Sequence, residues 1–155
     1  MTFKGVVNVK VALGSDHGGY ELKQEVFKVL AEMNIEYHDF GSHSKDSTDY
    51  SDYALEVGTA VSKKEYDLGI LICGTGIGMS IAANKVKGIR AALVTDLYSA
   101  QVTRQHNNSN VLCLGARTTG PQVALEIVKI WLTNEFEGGR HQRRIDKITN
   151  YESNC

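Results

Sequence analysis

Apolar positions along the chain switch repeatedly between short continuous runs and spacings of three and four. Residues 9–14 are mostly apolar, close in Gly14-Ser15-Asp16-His17-Gly18-Gly19, and read as a first strand. Leu22, Val26, Val29, Leu30 and Met33 then share one helical stripe. Residues 35–40 read as a second strand, and 41–50, rich in Ser, Asp and Thr, as a polar loop bearing Tyr50. Tyr53, Ala54, Val57, Ala60 and Val61 form the next stripe. Residues 68–73 are continuously apolar, as a parallel strand buried on both faces requires. Gly74-Thr75-Gly76-Ile77-Gly78 follows and opens a helix to about Asn84. Residues 89–94 suit a fourth strand, 97–105 a short helix and 111–114 a fifth strand. Pro121 fits the first position of another helix, with Val123, Ala124, Ile127, Val128 and Trp131 as its buried face. Glu137-Gly138-Gly139 breaks the chain, and a basic helix is expected from Arg140 to near Tyr151.

Strands alternating with helices predict an α/β protein. The expectation is a single doubly wound, Rossmann-like domain over residues 1–155. It has a five-stranded parallel sheet, helices on both faces and a C-terminal helical tail. Open sheets of this kind bind ligands at the carboxyl ends of their strands. Three places therefore stand out: Asp16-His17, residues 73–78, and the segment from His106 through Arg117. Composition narrows the partners. Lys plus Arg number 17 against 18 Asp plus Glu, a net charge of −1 that favours neither nucleic acid nor a membrane surface. No apolar stretch of about 18 residues is present, so no membrane span is expected. Residues 1–10 lack a signal-peptide core. Cys73, Cys113 and Cys155 are odd in number, far apart and outside any CxxC pair. They read as free thiols of a reducing compartment, the cytoplasm.

Candidate chemistry centres on Cys73-Gly-Thr-Gly-Ile-Gly78. Its glycines let backbone approach a ligand closely, and the helix start presents N–H groups to an anion. The segment is neither a P-loop nor a good dinucleotide fingerprint: its spacing is GxGxG, on the third strand. Asp96, near a ribose-binding position, adds little. A cysteine there can act as nucleophile or general base, or can be an inert strand-end thiol. Cys113, inside an apolar strand, reads as packing. Asp16 can move protons or simply cap the next helix, and His17 can hold a phosphate. His106-Asn107 is a candidate or a polar loop end. His38, His43 and His141 read as surface residues, and no pair of donors has metal-ligand spacing. Arg140 and Arg144, at i and i+4, share a helical face suited to a phosphate, as does Arg117; a solvated basic helix end is the other reading.

Taken together, these motifs resemble ribose-5-phosphate isomerase type B. The segments are Gly14-Ser-Asp-His-Gly18, Thr48-Asp-Tyr50, the run from Gly69 through Cys73 to Lys85, Ser99 to Asn107, and Gly138 to Ile145. The resemblance implies interconversion of ribose 5-phosphate and ribulose 5-phosphate through an enediolate, without metal or other cofactor. It implies Cys73 as the base, Thr75 as a hydroxyl-proton shuttle and His106 with Asp16 in ring opening. The amides of Gly74, Gly76, Ile77 and Gly78 would stabilise the enediolate. Tyr50 and Asn107 would contact the sugar, and His17, Arg117, Arg140 and Arg144 the phosphate. It further implies a homodimer or homotetramer with sites at the subunit interface. Two departures matter. Ser51 stands where the family commonly has proline, a change expected to loosen the Tyr50 loop. Met79 stands where a subgroup places a glutamate base, which leaves Cys73 as the base the motif offers.

Three other readings compete. A six-carbon isomerase, for allose 6-phosphate or galactose 6-phosphate, would keep this site. The galactose enzymes divide their catalytic set between two chains, whereas this chain carries the whole set. A non-catalytic phosphate- or nucleotide-binding module would need the anion site but not Cys73, Thr75 and His106 together. A cysteine hydrolase would need histidine close to Cys73 and nothing that binds phosphate.

Overall fold

The computed structural model describes residues 8–155; the N-terminal readings that fall on residues 1–7 lie outside the described residues. Five strands form one parallel sheet: β1 (Lys10–Ser15), β2 (Glu36–Asp39), β3 (Leu68–Cys73), β4 (Ala91–Leu93) and β5 (Val111–Gly115). Their order is β2-β1-β3-β5-β4. Six helices alternate with them: α1 (Tyr20–Glu32), α2 (Tyr50–Ser62), α3 (Ile77–Ala83), α4 (Leu97–Asn107), α5 (Pro121–Thr133) and α6 (Arg140–Ser153).

The pleat sends alternate side chains to opposite faces, and each face has its own core. Val11, Leu13, Ile70, Ile72, Leu112 and Leu114 meet α1, α4 and α5 on one side. There Trp131 is fully buried and its indole N–H donates to Ser109 Oγ at 2.9 Å. Ala12, Leu71, Cys73, Val111 and Cys113 meet α2 and α3 on the other. Burial pushes the Cys113 thiol well above its ordinary pKa, and neighbouring Cys73 adds to the shift. The packing role expected for Cys113 is what the structure shows.

The strand order explains where a ligand fits. The chain leaves β1 and β5 toward the α1–α5 face but leaves β3 toward the α3 face. Crevices therefore open beside β3 on both sides, at its carboxyl end.

Several boundaries differ from expectation. β2 stops at Asp39 rather than Phe40, and β4 keeps three residues of the expected six. Both are edge strands, with one neighbour to pair with. Tyr50 and Ser51 are the first two residues of α2, not part of a loop; the position of Ser51 is helical backbone. His38 and His43 are exposed as expected, but His141 is buried, 6% accessible, because α6 packs it against α4.

Candidate active site

The carboxyl end of β3 carries Cys73, and the ladder aligns it with Gly115 of β5. Ser15 of β1 pairs with Ile72, so Asp16 emerges beside the cysteine. Cys73 is 5% accessible, and its Sγ accepts a hydrogen bond from the Gly76 N–H at 3.1 Å. That donor fixes the sulfur and is one a charged sulfur would need. Gly76 has φ +76°, and a Cβ there would lie 2.6 Å from Leu93 Cδ1 and 2.9 Å from the Leu114 carbonyl carbon. Both the left-handed backbone and the close approach demand glycine. Thr75 is exposed, and its Oγ1 accepts from the Ile77 N–H at 3.3 Å. The amides of Gly74, Thr75 and Gly78 have no hydrogen-bond partner among the described residues.

Three loops converge at this end. The Arg117 N–H donates to the Gly74 carbonyl at 2.9 Å and the Ala116 N–H to the Cys73 carbonyl at 2.9 Å. The Arg117 guanidinium lies against Gly74, since a Cβ at 74 would fall 3.3 Å from its nitrogen. A Cβ at Gly18 would lie 3.4 Å from the Gly74 nitrogen and 3.6 Å from that guanidinium. Asp16 is 8% accessible and caps the short 3-10 turn His17–Gly19 by accepting from the Gly19 N–H at 3.1 Å. The capping role and a place in the site thus coexist, since one carboxylate oxygen is left for other work. His17 Nδ1 accepts from the Thr48 N–H at 3.2 Å, which ties the β2–α2 loop to the site. The Tyr50 ring lies over Gly78. An open cleft of about 780 Å³ is lined by His17, Gly18, Lys45, Arg117 and the first turn of α1. Cys73 does not line it.

The remaining candidates lie elsewhere. α4 starts at the carboxyl end of β4 and runs back, so His106 and Asn107 end it near the amino end of the sheet, just ahead of β5. Arg90, immediately before β4, confirms that end by donating to the carbonyls of Asn107 and Asn108 at 3.1 and 2.9 Å. Arg140 and Arg144 open α6, which packs on α4; both are exposed and form no ion pair among the described residues. One chain therefore holds its candidate residues in two separate groups. Cys73, Thr75, Asp16, His17, Tyr50 and Arg117 stand at one end of the sheet. His106, Asn107, Arg140 and Arg144 stand at the other, a strand length of roughly 16 Å away. His106-Asn107, expected at the carboxyl ends, lies instead at the amino end, because α4 runs antiparallel to the strands.

The structure adds residues that sequence reading missed. Lys23 is completely buried on α1, donating to Asp39 Oδ1 at 2.7 Å and to the Ser42 carbonyl at 2.6 Å. Burial lowers its pKa, and Asp39 partly offsets this. The Ser42 N–H donates to the Ser15 carbonyl at 2.6 Å, so Lys23 pins the β2–α2 loop to the strand that delivers Asp16. A lysine at the phase of Val26 and Leu30 was the available signal. Arg90 and its half-buried neighbour Arg104 hold the end of α4, and nothing in their local pattern marks that role. Asp96 caps α4 by accepting from the Ser99 N–H at 2.7 Å, which lowers its pKa; its side chain serves the helix. Met79 is fully buried in the core.

A doubly wound sheet with a cysteine, a glycine-rich turn and an arginine at its carboxyl end defines a small-molecule enzyme that handles an anionic substrate. The sequence profile of the Ribose/Galactose Isomerase family matches residues 11–148, and the chain belongs to that family. Ribose-5-phosphate isomerase B of Escherichia coli (strain K12) is 51% identical over 143 residues, 92% of this chain and 96% of that one. The structure superposes with TM-score 0.92 on ribose-5-phosphate isomerase B of Clostridium thermocellum. That protein is 52% identical, and the match covers 94% of this chain and 98% of that one. It superposes equally well, TM-score 0.92, on the Mycoplasma genitalium ribose-5-phosphate isomerase B, solved with ribulose-5-phosphate bound. There the identity is 44% and the match covers 97% of this chain and 100% of that one. Among the described residues no helix is long and apolar enough to cross a membrane.

Proposed function

We propose that the chain interconverts D-ribose 5-phosphate and D-ribulose 5-phosphate, with Cys73 as the base. The observation that carries this is the Cys73 sulfur, fixed by the Gly76 N–H among amides free to face an oxyanion. The thiolate takes the C2 proton of the open-chain aldose, and the electron pair of that bond forms the enediolate. The N–H groups of Gly74, Thr75 and Gly78, which have no partner among the described residues, stabilise the charge developing on oxygen, the role a Lewis acid would otherwise fill. Thr75 passes the hydroxyl proton between O1 and O2, and Cys73 returns its proton to C1. His17 and Arg117 hold the phosphate at a distance from the reacting carbons and so orient them. Tyr50, over Gly78, borders the sugar.

The other half-site is supplied by a second copy. His106 and Asp16 open the furanose, Asn107 holds the sugar, and Arg140 and Arg144 close on the phosphate. His106, Asn107, Arg140 and Arg144 lie at the amino end of their own sheet and Asp16 at the carboxyl end, so a two-fold partner whose amino end faces this carboxyl end completes the set. An apolar surface suits that contact: Ile77, Ile81, Leu97 and Tyr98 are 51%, 59%, 45% and 72% accessible. A homodimer is the smallest assembly that satisfies this, and a homotetramer of such dimers keeps it. The near-neutral chain works on a metabolite in the cytoplasm and needs neither nucleic acid nor membrane.

Steady-state rates with ribose 5-phosphate, allose 6-phosphate and galactose 6-phosphate, measured side by side, test the substrate. Preferred turnover of ribose 5-phosphate, undiminished by a chelator, is expected. Preference for a six-carbon sugar would move the assignment to that substrate, and binding without turnover would leave a binding module.

A further inference from the structure

His106, Glu137 and His141 come together from two segments about 30 residues apart, and the candidate mechanism uses His106 alone. One donor atom from each lies within 4.8 Å of the other two. The imidazoles stack with centroids 4.2 Å apart and planes 9° from parallel. His141 Nε2 stands 3.5 Å from Glu137 Oε2. The His141 side chain is 7% accessible, yet neither it nor His106 makes a side-chain hydrogen bond among the described residues. The backbone holds the group in place. The Glu137 N–H donates to the Gln105 carbonyl at 3.0 Å, next to His106, and the His141 N–H to the Gly138 carbonyl at 3.1 Å.

We propose that these three side chains form an inhibitory site for a divalent transition cation of the Zn²⁺ class. Two imidazoles and one carboxylate are a zinc ligand set with a fourth position left for water. Hard, oxygen-seeking Mg²⁺ and Ca²⁺ do not match it. Zinc bonds of about 2.0–2.1 Å place tetrahedral ligands roughly 3.4 Å apart, so the donors must draw in by no more than about 1.4 Å. Stacked rings do not aim their lone pairs at one point; half-exposed His106 therefore turns on its side-chain torsions while buried His141 stays. Arg140 and Arg144 face His141 and oppose a cation, and Glu137 favours one. The site consequently binds more weakly than a closed structural zinc site. Its effect rests on the function proposed above. A bound cation occupies the His106 nitrogen needed for ring opening, so it slows turnover of the cyclic sugar.

Calorimetric titration of Zn²⁺ into the full chain tests binding without reference to turnover. The wild type and Cys73→Ser should take one cation per chain. Glu137→Gln and His141→Asn should bind at least tenfold more weakly. The Glu137 side chain is 51% accessible, so Glu137→Gln keeps the fold. Bound Co²⁺ should show a tetrahedral visible spectrum with no thiolate charge-transfer band. In the ribose 5-phosphate assay Zn²⁺ should inhibit the wild type, reversibly by chelator, but not Glu137→Gln, whose metal-free turnover is unchanged. Unaltered binding by Glu137→Gln and His141→Asn, loss of binding in Cys73→Ser, or no wild-type binding below millimolar Zn²⁺ would overturn the site. Binding as described with no inhibition would overturn its inhibitory role.

Discussion

At the residue scale the proposed chemistry depends on one sulfur. Cys73 and Cys113 lie two residues apart in register on the same face of the sheet, since Cys113 is opposite Leu71 and Gly115 opposite Cys73. Their environments differ because Cys113 is enclosed by packing, whereas Cys73 ends its strand against an amide donor. Replacing Cys73 with alanine removes one sulfur atom beside the glycine turn and leaves the sheet paired. Cys73→Ala should lower turnover of ribose 5-phosphate by about 10²–10⁴-fold, the range of a lost general base. Its melting temperature and affinity for inorganic phosphate should barely move. Appreciable turnover would remove Cys73 from the role of base. The sequence made this residue legible because strand, cysteine and glycine turn are contiguous. It did not make the His106–Glu137–His141 cluster legible. That cluster depends on how α6 folds back on α4, and no spacing encodes such a contact.

At the element scale, the alternation of strands and helices was readable because buried parallel strands and amphipathic helices have different periods. The order β2-β1-β3-β5-β4 was not, since a crossover past one strand needs much the same loop as a crossover to the next. Edge strands β2 and β4 proved shorter than their apolar runs, which continue into the turns that flank them. Lys23 shows what periodicity passes over. It sits at a core phase of α1 and holds the β2–α2 loop against β1. Asp39→Asn strands its buried ammonium and should destabilise the fold by about 3 kcal/mol in urea unfolding. Lys23→Met, which removes the charge altogether, should cost less; the reverse ranking would contradict a buried ion pair. Because folded Lys23 titrates below its ordinary value, the unfolded chain binds the extra proton in the alkaline range. Stability from this group therefore grows as pH rises between the lowered value and the ordinary one, and Lys23→Met should flatten that rise.

At the scale of the whole molecule, the candidate residues stand in two groups at opposite ends of the sheet. Helices that return antiparallel to their strands carry whatever ends them to the amino side of the sheet, and His106 and Asn107 end α4. The resemblance read from the sequence named the members of the site but could not say which belonged to one chain. Geometry divides them: Cys73, the glycine-turn amides and Arg117 on one side, His106 and the α6 arginines on the other. Co-expressing two differently tagged variants, Cys73→Ala and the double variant Arg140→Ala/Arg144→Ala, tests this division directly. The first lacks the proposed base and the second the proposed phosphate-binding arginines. In a purified mixed dimer, one site joins the intact Cys73 half of one chain to the intact arginine half of the other. The mixed dimer should recover about half of wild-type turnover of ribose 5-phosphate, one intact site of two, while each parent alone stays far below it. A mixed dimer no more active than the mean of its parents would contradict a site shared between two copies of the chain.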